Sequence, residues 1–348
     1  MKIVFKVFSI ALLMAFATMS ARAVDENAIG SSSGDVFAKV GGAGAQFLKI
    51  PLGARGTAMG GAQGAVANDL TAIFWNPAGI ANIHSISANF SYTQWFAGFS
   101  HNFAALALPF GDNFTAAFNL VSFGSGDIPI TTLDRPDGTG ANYSVSDIAF
   151  GFAFGGYLTE QFSFGINAKY INSSFASVSS SGIAFDIGTR YETGIQGIAV
   201  GFSLHNLGTE QQYTGQDLRT TRKILEAMNA SPVDAEYVSS GFSLPLAFRA
   251  GISSNVYETE EHMVVAAFDF VTYSDTPEEF MIGAEYTWRD FVSVRGGYNI
   301  GQDQFGLTGG VGLKYDGGGF GGVIDYSIAP TFDLGLVNRL SLSLSFGS

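Results

Sequence analysis

The chain has 348 residues and no cysteine, and its 17 basic and 30 acidic side chains give a net charge of −13. Lack of cysteine excludes a disulfide scaffold and thiolate metal sites, and the acidic balance argues against nucleic acid, which requires a basic face. Charged residues are only 14% of the total beside 45 glycines and 32 phenylalanines, a composition suited to a wall that is apolar outside and closely packed inside.

Residues 1–23 read as a signal peptide. Lys2 and Lys6 supply the positive region, Val7 to Met19 the apolar run, and Ala21-Arg22-Ala23 the small-residue cleavage site. Cleavage after Ala23 would remove Lys2, Lys6 and Arg22 and leave −16 (−13 − 3). No later stretch approaches the ~18 apolar residues of a membrane helix. A membrane-spanning form of this chain must therefore be a closed barrel, which leaves no backbone group unpaired in lipid.

Residues 24–83 do not alternate. They are rich in Gly and Ala from Phe47 to Ala62, and Asn68-Asp69 predicts the start of a short helix through Trp75. Asn76-Pro77-Ala78-Gly79 then stops it. The segment is too apolar for a solvated tail and too poor in large side chains for its own core. It is expected to be a hatch or plug inside a barrel.

Residues 84–348 alternate apolar with small or polar side chains. In the last run Leu340, Leu342, Leu344 and Phe346 interleave with Ser341, Ser343 and Ser345, so one face is apolar and the other is not. The predicted strands are 84–94, 100–110, 113–123, 143–157, 161–174, 180–191, 197–206, 241–257, 261–273, 279–289, 291–300, 305–315, 319–329 and 337–347. The expected fold class is all-β, a transmembrane antiparallel β-barrel of about 14 strands, an even number as in outer-membrane barrels. Tyr92, Trp95, Tyr170, Tyr191, Tyr286, Trp288, Tyr298 and Tyr315 fall near predicted strand ends, as an interfacial aromatic girdle would.

Short predicted turns at 111–112, 158–160, 192–196, 258–260, Asp290 and 316–318 alternate with other connections that include the much longer 124–142 and 207–240. Short turns belong to the periplasmic side and long loops to the outside, so both termini are expected in the periplasm and the barrel in a bacterial outer membrane. Within the second long connection, Asp217 to Met228 has helical spacing and predicts a loop helix. Pro245, in the eighth predicted strand, lacks a ladder donor and is expected to mark a strand break, a bulge or a lateral gap.

Parity points Lys169, Asp186, Arg249, Asp269, Glu285, Arg295, Lys314 and Asp325 into the lumen. The last six come from consecutive predicted strands, so opposite charges can neighbour one another and offset their desolvation. Other chemistry is weak. Asp134 to Gly140 lacks the closing Glu of a calcium loop, the Gly-rich runs lack a Lys-Ser/Thr, and the four histidines have no metal spacing. His205 faces the lumen by parity but has no nucleophile elbow beside it, so no enzyme, cofactor or metal is expected.

Leu52-Gly53-Ala54-Arg55, Ala58-Met59-Gly60-Gly61-Ala62, Ala67-Asn68-Asp69 and Phe74 to Ile80, with Asn76-Pro77-Ala78-Gly79 at their centre, form an ordered set. So do Thr93-Gln94-Trp95, Pro136 to Gly140, Phe185 to Thr189, Ile282 to Tyr286, Gly312 to Tyr315 and Asp325 to Ser327. Over nearly the whole mature chain this set resembles the PorV/PorQ family of the wider FadL-like barrels. The resemblance implies a fourteen-stranded barrel with an N-terminal hatch in which Asn76, Pro77, Ala78 and Gly79 carry the hatch motif. It also implies a non-enzymatic role in type IX secretion, with exported proteins or secretion-complex subunits as partners. One alternative is a FadL-type transporter of hydrophobic small molecules such as fatty acids and hydrocarbons, which needs an apolar lumenal pocket; a purely structural barrel is another.

Overall fold

The computed structural model describes residues 42–111, 113–222 and 232–347. The expected signal peptide and the start of the 24–83 segment lie outside the described residues. Fourteen long strands make up the wall. They are β1 (Ile86–Gln94), β2 (Ser100–Phe110), β3 (Phe114–Gly124), β4 (Val145–Thr159), β5 (Phe162–Phe175), β6 (Val178–Glu192) and β7 (Ala199–Gly208). Then follow β8 (Ala247–Glu258), β9 (His262–Tyr273), β10 (Glu279–Trp288), β11 (Val292–Ile300), β12 (Leu307–Gly317), β13 (Phe320–Pro330) and β14 (Leu336–Phe346). Every strand pairs antiparallel with the next, and β14 returns to β1 in a continuous register from Ile86↔Phe346 to Gln94↔Asn338. The ring is closed, which removes every open edge from the wall.

The alternation works as the sequence indicates. In β10, Phe280, Ile282, Tyr286 and Trp288 are exposed while Glu279, Met281, Glu285 and Thr287 are buried. Leu340, Leu342 and Phe346 of β14 face out, and Arg339 and Ser341 face in. Apolar rings and branched chains cover the outer surface on strand after strand. A soluble monomer rarely exposes so large an apolar area, whereas a lipid-facing wall requires it. Trp95 departs from the girdle expectation. It follows β1 and turns inward, with its ring 5.7 Å from that of Phe305.

At the end of the barrel where β1 begins, the connections are 111–113, 160–161, 193–198, 259–261, 289–291 and 318–319. At the other end they are 95–99, 125–144, 176–177, 209–246, 274–278, 301–306 and 331–335. The length asymmetry thus rests on two connections, 125–144 and 209–246. The loop helix expected over 217–228 is corrected by the structure. Gln216–Leu218 is a single 3-10 turn, and Arg219–Arg222 is a strand paired with Val233–Glu236. Thr220 and Thr221 are β-branched and favour that hairpin over a helix; residues 223–228 lie outside the described residues.

Pro245 lies just ahead of β8, which starts two residues later at Ala247, rather than within a strand. The ladder between β7 and β8 ends at His205↔Ala247, while β7 stays paired with β6 up to Gly208. Asn206 makes the bulge with a left-handed φ of 62°, a conformation asparagine tolerates. Its Nδ2 donates to the Pro245 carbonyl at 2.8 Å. That bond satisfies the Pro245 carbonyl where no ladder partner does, although proline's missing N–H stays without a counterpart.

Candidate functional site

Residues 44–83 lie against the inward face of the wall in three apolar clusters. Phe47 and Leu48 pack with Ile171, Ala184 and Leu244. Met59, Ala62 and Val66 pack with Val265, Val271 and Met281. Leu52, Leu70, Ile73, Trp75 and Ile80 pack with Phe103, Ala105 and Ala117. The segment has only short helical pieces, Gln46–Lys49, Ala54–Ala58, Ala72–Trp75 and Pro77–Asn82. Backbone turns and side-chain bonds together hold its shape. Asp69 Oδ1 accepts from the Thr71 amide at 2.8 Å ahead of the Ala72 helix, near the start expected from Asn68-Asp69.

Asn76 joins the segment to itself and to the wall. Its Nδ2 donates to the Gly64 carbonyl at 2.7 Å and to the Thr189 carbonyl at 3.0 Å, while its Oδ1 accepts from the Ala78 amide at 3.2 Å. Pro77 starts the following 3-10 turn, where its missing N–H costs nothing. The turn reaches the wall because the wall has no side chains there. A Cβ on Gly165 of β5 would stand 2.2 Å from the Pro77 carbonyl, and one on Gly188 of β6 would stand 2.0 Å from Asn76 Oδ1. Similarly, a Cβ on Gly297 of β11 would meet Met59 C at 2.1 Å. Gly79 itself sits 2.2 Å from the Ala67 carbonyl by the same measure. Gly60, at φ 68°, turns its amide onto Thr308 Oγ1 at 3.0 Å.

The inward charges form separate groups rather than one run. On β8 and β9, Arg249 Nη1 donates to Asp269 Oδ2 and to the Gly61 carbonyl, each at 2.9 Å. The same carboxylate oxygen accepts from the Gln63 and Gly64 amides at 3.0 and 2.7 Å. On β10 to β13, Arg295 bridges Glu285 and Asp325, the latter at 2.6 Å. It crosses β12 over Gly312, where a Cβ would lie 2.3 Å from Asp325 Oδ1 and 2.5 Å from Arg295 Nη1. On β5 and β6, Lys169 meets both oxygens of Asp186 at 2.8 and 2.9 Å, and the Asn206 amide donates to Asp186 Oδ1 at 2.8 Å.

Lys314 does not join them. It has lumenal parity but lies near the end of β12 and reaches out to Asp290 in the 289–291 turn at 2.5 Å, with both groups well exposed. A long flexible side chain at a strand end reaches solvent, so parity alone cannot place its charge. Arg55, in contrast, lies in a segment with no parity to read, so its sequence does not assign it a face. It forms a two-pronged pair with Glu285 at 2.8 and 2.9 Å. Burial disfavours the Arg55 charge, but Glu285, with Asp69 and Asp325 behind it, outweighs that and holds its pKa above the ordinary arginine value.

Ser203, His205 and Asp186 stand in serine-hydrolase order, with His205 Nε2 2.8 Å from Ser203 Oγ. Yet Ser203 Oγ donates to the Trp75 carbonyl at 3.2 Å, and His205 Nδ1 is 3.8 Å from Asp186. The serine is buried under the segment and serves to hold it.

A cavity of about 200 Å³ lies where the segment faces the end of the barrel that carries the two long connections. Pro51, Thr57, Phe74 and Trp75 line it from the segment. Tyr273, Met281, Thr308 and Arg339 line it from the wall, and Trp95 and Phe305 from connections 95–99 and 301–306. Its cations lie over its rings: Lys49 is 4.7 Å from the Tyr273 centroid, Arg249 5.1 Å from that of Trp75 and Arg339 5.9 Å from that of Trp95. Arg339 shares the parity of Ser341, and Glu279 that of Glu285, so both were readable as inward from the alternation.

No family model matches this sequence, and no curated protein matches it. Solved structures do. The toluene transporter TodX of Pseudomonas putida is 12% identical, with a TM-score of 0.59 over 85% of this chain and 98% of its own. The monoaromatic hydrocarbon channel CymD is 13% identical, with a TM-score of 0.56 over 86% and 98%. A FadL homologue of Pseudomonas aeruginosa is 11% identical, with a TM-score of 0.50 over 84% and 98%. The fold is that of the FadL-like barrels. At such identities the likeness concerns architecture, and the PorV/PorQ resemblance gains no support beyond it.

Proposed function

We propose that this protein is an outer-membrane channel for small hydrophobic molecules, with residues 44–83 as a hatch that must shift for passage. The observation that carries this reading is the ring-lined cavity at the end of the lumen that carries the long connections, with the hatch as its floor. Concave sites lined by apolar and aromatic groups with few polar ones are what small ligands occupy. The structural neighbours named for toluene and monoaromatic hydrocarbons support the same class of cargo. Pro245, where the β7–β8 ladder stops early, is the proposed lateral weak point of the wall.

The secretion reading expected exported proteins to dock on loops 124–142 and 207–240. It remains a second proposal, carried only by the quoted motifs, and no observation at those loops favours it over transport. The channel reading predicts that intact Gram-negative cells producing this chain take up labelled toluene several-fold faster than cells producing an unrelated closed barrel. Equal initial rates at equal amounts of folded protein would count against it.

A further inference from the structure

Arg339 is 2% exposed and lines the cavity from β14, yet among the described residues no carboxylate pairs with it and its Nε has no hydrogen-bond partner. The other cations of the lining are matched by acids. Lys49 meets Asp275 at 2.6 Å and Arg249 meets Asp269 at 2.9 Å. Glu279, the carboxylate among the lining residues, accepts from Asn299 Nδ2 at 2.9 Å. A buried guanidinium without an anion is costly, and its five donors are built to grip a carboxylate.

Size narrows the guest. An apolar cavity of about 150 Å³ takes benzene, and one water's share of liquid is about 30 Å³. At about 200 Å³ the cavity has room for one ring with a small substituent. The Trp95 and Phe305 rings, 5.7 Å apart, supply apolar faces beside the guanidinium.

We propose that this cavity binds a one-ring aromatic carboxylate of the benzoate class, its carboxylate on Arg339 and its ring among Trp95, Phe305 and Phe74. The site rests on the channel reading and goes beyond it, since it selects an anion where a hydrocarbon pore would not. Titration calorimetry of the purified full chain in detergent, with benzoate and its neutral isostere benzamide, tests the site. Benzoate should bind at least about tenfold more tightly than benzamide, as charge-assisted bonds require. R339Q should weaken benzoate about ten- to hundredfold and leave benzamide within about twofold, while R339K retains part of the preference. Equal wild-type affinities, or an undiminished preference in a folded R339Q, overturn the proposal. If R339Q does not fold, the wild-type ratio decides alone. Toluene uptake by cells separates the two claims: toluene uptake without benzoate preference overturns the site only, and benzoate preference without toluene uptake overturns the channel only.

Discussion

Replacing Glu285 with alanine should destabilise the folded barrel by about 3–5 kcal/mol, because it removes the main carboxylate partner of Arg55 and one of the two partners of buried Arg295. Glu285 is 3% exposed, takes both prongs of Arg55 and also accepts from Arg295. Asp325 remains for Arg295, but Arg55 keeps only Asn68 at 2.6 Å and the more distant Asp69 at 3.8 Å. Urea unfolding of the purified protein measures the loss. A double-mutant cycle with Arg55→Met then separates the tie between hatch and wall from the pair within the wall. Since removing both partners leaves one fewer stranded charge, the double variant should cost clearly less than the two single losses added together. Strict additivity would mean that Arg55 does not fasten the hatch to β10.

Gly165→Val should be at least as damaging. Its first added atom would fall 2.2 Å from both the carbon and the oxygen of the Pro77 carbonyl and 2.6 Å from the Ala78 nitrogen. Those are backbone atoms of a turn that Asn76 holds from two sides, so the clash cannot be relieved by a rotamer change. Overpacking of this kind costs about 1–3 kcal/mol where a core can yield, and more where it cannot. The expected result is a hatch expelled from β5 and β6, read as new protease cleavage within residues 42–83 while the barrel keeps its heat-shifted mobility on gels. The same substitution at Gly296, where a Cβ meets nothing within 4 Å, is the control and should leave cleavage unchanged. Equal protection of both variants would contradict the close packing of the turn on the wall.

The wall was legible because lipid on one face and a packed lumen on the other impose a strict period of two. All fourteen predicted segments overlap observed strands, although the eighth, begun at 241, is a strand only from Ala247, two residues after Pro245. The same period put Asp186, Arg249, Asp269, Glu285, Arg295 and Asp325 inside. It could not say which groups would meet, since Arg295 reaches past β12 only because Gly312 is bare. It also misjudged Lys314, whose chain is long enough to leave the face its Cα belongs to. Trp95 lies one residue beyond the end of β1, where parity no longer rules, and it belongs to the cavity rather than the girdle.

The N-terminal segment is harder to read for a physical reason. Its conformation is set by surfaces contributed by ten or more distant strands, not by its own periodicity. Asn76-Pro77-Ala78-Gly79 is visible in the sequence as a helix stop and as a motif. Its partners, Thr189, Gly165 and Gly188, become evident only once β5 and β6 are wrapped around it. Arg55 and the cavity depend on the same closure. The site is therefore a property of the hatch and the wall together, with few marks in either stretch alone.

The channel account requires the hatch to shift, and the cysteine-free chain allows a clean test of that motion. The Ala54 amide donates to Ser341 Oγ on β14 at 2.8 Å, so cysteines at Ala54 and Ser341 are close enough to cross-link the hatch to the wall. The measurement is toluene uptake by cells producing the double-cysteine variant, before and after reduction of the cross-link. The account predicts slow uptake while the link is closed and a return to the wild-type rate once it is reduced. Wild-type uptake with the link fully formed would contradict it.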